Sequence, residues 1–125
     1  MSIRFDHLGL ISDTAEQNSE LARFFADVLG LEVTGDAAEG YAEVKAGAVT
    51  IALHRGNLID HVSPHGGTLL QFSSDDVRAD VEAIRSRGGV ISLEPMDTDW
   101  GTTTAYVSGP NGVLVELYQW REPQH

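Results

Sequence analysis

His7-Leu8-Gly9-Leu10-Ile11-Ser12-Asp13 and Leu69-Leu70-Gln71-Phe72-Ser73-Ser74-Asp75 follow one pattern: a short apolar run closing on Ser-Asp, then a helical stretch, then a glycine. Such a run is a strand feeding a capped helix, and its recurrence makes the chain an internal repeat. In the first copy Asp13 and Glu16 have the spacing of a capping box, and Leu21, Phe24, Phe25 and Val28 fall at i, i+3, i+4 and i+7. Gly30 stands where a helix-ending glycine belongs. In the second copy Ser74 is the expected cap, Asp75 and Asp76 suit the positive helix N-terminus, and Val77, Val81 and Ile84 make the apolar stripe before Gly88-Gly89.

Beyond each helix the apolar period changes from about 3.6 to 2, which marks strands. The segments are Leu31 to Thr34, Tyr41 to Ala46 and Val49 to His54, then Val90 to Leu93, Thr102 to Val107 and Val113 to Trp120. Ala46-Gly47-Ala48 and Ser108-Gly109-Pro110-Asn111-Gly112 read as hairpin turns before the last strand of each half. Each half is thus β-α-β-β-β, at about residues 3–55 and 68–120, in one α+β domain spanning residues 1–125. The stretch at about 56–67, with Gly56, Pro64, Gly66 and Gly67, reads as a linker, and Arg121 to His125 as a frayed tail. One helix cannot cover both faces of a four-stranded sheet, so each half is expected to face the other across a cleft between curved sheets.

The 125 residues fit one domain, and 19 acidic against 8 basic side chains give a net charge of -11. That charge repels phosphate backbones and anionic lipid, so neither nucleic acid nor membrane is an expected partner. No apolar run approaches the roughly 20 residues of a membrane span, and no signal core opens the chain, so a cytoplasmic protein is expected. With no cysteine, any metal would have to be held by His and carboxylates. Gly-x-Ser-x-Gly, a phosphate loop and Gly-x-Gly-x-x-Gly between strand and helix are all missing, which removes serine hydrolase, nucleotide hydrolase and dinucleotide-binding readings.

The paired modules resemble the vicinal oxygen chelate superfamily, which includes glyoxalase I, bleomycin-resistance proteins, fosfomycin-modifying enzymes and extradiol dioxygenases. The resemblance is carried by Phe5-Asp6-His7-Leu8-Gly9-Leu10, by Phe24-Phe25 with Val28-Leu29-Gly30-Leu31, and by Trp100-Gly101 followed by Gly109-Pro110-Asn111-Gly112-Val113-Leu114-Val115-Glu116-Leu117. It covers nearly the whole chain. It implies a homodimer whose cleft forms either within one chain or across two, and a divalent ion such as Zn, Ni, Mn or Fe held by side chains on the first and last strand of each module. Position by position it assigns metal ligation to His7 and Glu116, and places Ala52 and Leu69 at the other two ligand positions. Two donors fall short of the three or four protein ligands a zinc site usually has.

Strand parity puts His54 on the face of Ala52 and Gln71 on the face of Leu69, each about 6.6 Å along its strand. Either side chain would sit beside an inherited coordination centre and outside it. Glu116, between Val115 and Leu117, needs a donor if it is buried, and without one burial would raise its pKa. His7 and Glu116 are therefore the candidate catalytic pair if the protein is an enzyme, with the alternative that they are a structural remnant. Trp100 sits where related binding proteins carry Trp-Gly near a ligand, and it offers a stacking surface or else packs at an edge. Tyr118 shares the parity of Glu116, while Tyr41 and Tyr106 could face either way. His61 and His65 flank Pro64, which denies them helical ligand geometry; with Asp60 they read as polar linker.

The expected ligand pocket is thus His7, His54, Leu69, Gln71, Trp100, Glu116 and Tyr118. Two functions fit: a small-molecule binding protein holding an organic ligand in an apolar cleft, or a metal-dependent lyase, isomerase or dioxygenase acting on vicinal oxygens.

Overall fold

The computed structural model describes residues 2–56, 67–110 and 113–122. Residues 57–66 of the proposed linker, with Asp60, His61 and His65, the Asn111-Gly112 part of the second turn and the last three residues lie outside them. Packing divides the chain into two compact units, His7–Leu69 and Met1–Asp6 with Leu70–His125. Strand β1 (Arg4–Ser12) begins in the second of these and continues into the first. The α+β architecture of two β-α-β-β-β modules follows the sequence reading.

In the His7–Leu69 unit the order is β1, α1 (Ala15–Arg23), a π-helical turn (Phe24–Val28), β2 (Glu32–Asp36), a 3-10 turn (Ala37–Glu39), β3 (Tyr41–Ala46) and β4 (Val49–Arg55). The strands lie in the order β2-β3-β4-β1. β2-β3 and β3-β4 are antiparallel, whereas β1 runs parallel to β4 from Leu8 opposite Ile51 to Ser12 opposite Arg55. The helix start differs by one residue from the sequence expectation. Thr14, not Asp13, is the cap, accepting from the Gln17 amide, and Gln17 Oε1 in turn accepts the Asp13 N–H. Threonine is a good cap though a weaker one than aspartate, so cap preference alone points to the wrong neighbour here.

The stripe is also rotated. Leu21 and Phe25 pack on the core of Ala37, Ala42, Val44 and Leu53, as expected, but their companions are Asn18 and Ala22. Phe24 and Val28 are exposed, at 46% and 70%. The stripe Asn18, Leu21, Ala22 and Phe25 keeps ordinary helical spacing, which leaves Phe24 to one side; beyond it the Leu29 N–H donates to Phe24 O five residues back, and this wide turn carries Val28 off the face. Gly30 then ends it at φ 71, a conformation that costs glycine nothing, and the Leu31 N–H closes on Phe25 O. Asn18 is fully buried and uses its Nδ2 to hold Ala37 O (3.1 Å) and Leu53 O (3.4 Å), tying α1 to β4.

The other unit runs β5 (Thr68–Ser73, entering from the end of the first unit), α2 (Val77–Ser86), β6 (Val90–Asp97), β7 (Thr102–Ser108) and β8 (Leu114–Trp120). Its strands lie in the order β5-β8-β7-β6. The stripe Val77, Val81 and Ile84 packs as expected, against Ala105, Leu117, Phe72, Ile91, Val107 and Val115. β6 is longer than the sequence suggested and slips register twice against β7, between Ile91 and Leu93 and between Leu93 and Met96. Bulges break the alternation that would have revealed its length.

Asp76, not Ser74, caps α2 by accepting from the Ala79 amide. The Ser74 hydroxyl accepts from the Asp76 N–H and donates to Asp80 Oδ2 (2.6 Å), which also receives Ser2 Oγ–H (2.5 Å). Burial pushes the Asp80 carboxyl up, but the Ser2 and Ser74 hydroxyls, together with the Ser2 backbone N–H and the N-terminal charge, outweigh it and hold it below the ordinary 3.8. A carboxylate lowered in the folded state contributes stability that is complete above its unfolded pKa and disappears as pH falls through the folded one. Urea midpoints measured from pH 6 downward should therefore fall below about pH 4, and Ser74→Ala should reduce that acid dependence. An unchanged acid limb in the variant would remove Asp80 as its source.

Candidate functional site

Each unit's strands pack one face on its helix and turn the other away from it. In the unit containing Leu70–His125, Ala105, Val107, Val115 and Leu117 point to α2. Alternation then places Thr102, Thr104 and Tyr106 of β7 and Glu116, Tyr118 and Trp120 of β8 on the opposite face. They are paired across the ladder: Thr102 with Trp120, Thr104 with Tyr118, Tyr106 with Glu116. Thr102, Thr104 and Tyr106 are buried despite their hydroxyls. The hydroxyls of Thr98, Thr102 and Thr104 form a chain with oxygens 2.8 and 2.9 Å apart.

Glu116 finds the donor that burial demands in Gln71, whose Nε2 donates to Glu116 Oε1 at 2.8 Å. Both residues were candidates from sequence, and the structure brings them together. Gln71 is 4% exposed, and its Oε1 has no hydrogen-bond partner among the described residues. A buried carbonyl left unmatched costs about 1–3 kcal/mol, a penalty that a ligand or ordered water would relieve.

Trp100 stands 55% exposed on the turn between β6 and β7. That turn is tightly held: the Thr98 N–H donates to Thr102 O, the Arg121 N–H to Gly101 O, and the Arg121 guanidinium donates to Thr98 O (2.8 Å) and Thr102 O. Gly101 has φ 102 and lies against the Trp120 ring, where a Cβ would come within 3.7 Å. Tyr118 packs edge-on against Trp120, and its phenol donates to Asp6 Oδ2 at 2.7 Å.

In the His7–Leu69 unit the face away from α1 carries a second polar group. On β3, Ala42 and Val44 turn to the core, so Tyr41, Glu43 and Lys45 turn the other way. Ala52 lies opposite both Glu43 and Gly9, and His54 opposite both Tyr41 and Ile11. The Tyr41 phenol donates to Glu43 Oε2 (2.7 Å), Lys45 Nζ to Oε1 (3.3 Å), and the Tyr41 and His54 rings meet edge to face at 5.0 Å. The Tyr41 hydrogen bond lowers the Glu43 carboxyl below its ordinary 4.5; burial opposes this, and Lys45 and His7 reinforce it. Glu43 was missed in the sequence, although the alternation Tyr-Ala-Glu-Val-Lys at residues 41–45 would have put it on this face.

Ala52 is fully buried and Leu69 is 1% exposed, and neither offers a donor atom. Among the described residues no three His, Asp or Glu side chains gather in an arrangement that could hold a metal ion. This donor set does not fit an ion coordinated by protein side chains alone.

A family model described as the Glyoxalase/Bleomycin resistance protein/Dioxygenase superfamily matches residues 4–117. The chain belongs to that superfamily. A probable lactoylglutathione lyase of Vibrio cholerae is 30% identical over 81 residues, which are 64% of this chain; the match spans only 59% of that relative's length. Among solved structures, a hypothetical protein from Bacillus halodurans C-125 superposes with a TM-score of 0.70 at 19% identity, covering 100% of this chain and 99% of its own. A superfamily member from Vibrio splendidus 12B01 gives 0.65 at 19% identity over 94% and 99% of the two chains. A methylmalonyl-CoA epimerase variant from Streptomyces coelicolor gives 0.61 at 22% identity over 98% and 100%. These structures share the fold. Among the described residues no helix is long and apolar enough to cross a membrane.

Proposed function

We propose that this superfamily member is a small-molecule binding protein that holds an organic ligand without a protein-ligated metal. What carries the reading is the pair Ala52 and Leu69, both buried and apolar at the two positions where the family resemblance expects metal ligands. Gln71, Glu116 and Tyr118 would supply polar contacts, and Trp100 a stacking surface. The experiment is a thermal-shift screen of small aromatic and polyfunctional organic compounds in EDTA. At least one compound at 100 times its Kd should stabilise the protein by about 2.7 kcal/mol, or several degrees. Trp100→Ala should shrink that shift while leaving the free protein's melting temperature nearly unchanged. Stabilisation seen only with added divalent metal, and abolished by EDTA, would overturn the reading.

A second reading, an acid-base enzyme, is favoured by the Tyr41–Glu43 hydrogen bond beside His54. The named activities of the Vibrio cholerae and Streptomyces coelicolor relatives belong to the same kind of chemistry. General bases work best with a pKa near the operating pH, and Glu43 is shifted the other way, which places this reading second. Incubation with methylmalonyl-CoA or lactoylglutathione in D2O decides it: deuterium uptake next to the carbonyl, lost in Glu43→Gln, would promote the enzyme over the binder.

A further inference from the structure

The Gln71 amide is locked in one orientation. Turning it over would set Gln71 Oε1 against Glu116 Oε1 at 2.8 Å, two acceptors in contact, so the Nε2 end belongs to the carboxylate. The consequence falls on the other end of the side chain. Gln71 is more than nine-tenths buried and its Oε1 has no partner among the described residues, so the position offers an acceptor and a carboxylate side by side. An oxyanion arriving there would meet like polarity from both groups.

Resting on the binding reading above, we propose that the Gln71–Glu116 pair recognises a protonated amine: the ligand's N–H donates to Gln71 Oε1 and its positive charge faces the Glu116 carboxylate. A hydrogen bond to a charged donor is stronger than a neutral one, and a buried carboxylate gains most from a cation brought against it. The net charge of -11 acts in the same direction at longer range by raising the local concentration of cations. The pair thereby separates this chain's ligand from acidic organic molecules of the same size.

Benzylammonium and benzoate, equal in size and opposite in charge, are the probes. Titrations of 15N-labelled protein in EDTA at pH 7 are followed at the Gln71 side-chain NH2 resonance, which reports on the pair in the unmodified protein. Benzylammonium should shift it saturably, and Gln71→Met, verified as folded by its spectrum and titrated at the backbone amides that benzylammonium shifts in the parent protein, should bind it about 10-fold more weakly. Benzoate at the same concentrations should leave the resonance in place. Benzoate binding as well as benzylammonium, an unchanged affinity in Gln71→Met, or a Gln71 resonance that neither probe moves would each overturn the inference. If the wider compound screen still finds a ligand in EDTA, the binding reading survives that failure; if the screen is silent too, both fall.

Discussion

Truncating Leu53 to alanine is expected to remove about 2–5 kcal/mol of unfolding free energy, the range for a buried leucine that leaves a cavity behind. Leu53 is fully buried among Ala37, Ala42 and Val44, with Leu10, Leu21 and Phe25 around them, so few neighbours are free to collapse inward. Its carbonyl also receives the Asn18 amide, so disturbing β4 here loosens the tie between strand and helix. Domains of this size have about 5–15 kcal/mol to lose, and the variant should unfold at a much lower urea midpoint. Val49→Ala on the same strand, at a residue 46% exposed, serves as the control and should stay within about 0.5 kcal/mol. Equal midpoints for the two variants would mean that this core is not where the stability of the His7–Leu69 unit resides.

Arg121→Met should cost about 2–4 kcal/mol, because two carbonyls lose a charged donor and the turn carrying Trp100 loses its clamp. The guanidinium reaches Thr98 O and Thr102 O together, a fork that a lysine cannot reproduce with one ammonium, so Arg121→Lys should recover only part of the loss. The near-ultraviolet circular dichroism of Trp100 and Trp120 separates local from global effects. It should weaken in Arg121→Met well below the unfolding temperature. A tryptophan signal identical to that of the parent protein would show the turn to be held by its backbone bonds alone.

Arg121 also marks a boundary of what could be read from the chain. Expected to begin a frayed tail, it is instead the anchor of the Trp100 turn, and its role depends on β8 returning beside residues 98–102, a tertiary event without local signal. The strands and both helices were legible because period 2 and period 3.6 survive in most segments. Where that signal fails, a physical reason is visible. Thr14 and Asp76 displaced the expected caps because several good capping residues stand side by side. β6 hid its second half behind two register slips.

The candidate site divides in the same way. Parity put Gln71 on the face of Leu69, family resemblance picked out Glu116, Ala52 and Leu69, and only the fold brought Gln71 to Glu116. Glu43 stayed hidden because a charged residue on a strand reads as a solvated face until its neighbours are known, and here they are Tyr41, Lys45 and the field of His7. The hydrogen bond that fixes the Gln71 amide could not be inferred from side-chain types, since either end of an amide can serve a neighbour until the carboxylate selects one.

The wide turn at Phe24–Val28 bears on how this chain is compared with others. Residues before and after it keep different angular time, so one alignment column can hold a core residue in a relative with an unbroken α-helix and a surface residue here. Val28 would then pass for a core position in a family profile while facing solvent in this molecule. A homologue shorter by one residue in this segment would be expected to turn the position of Val28 inward with no change in composition.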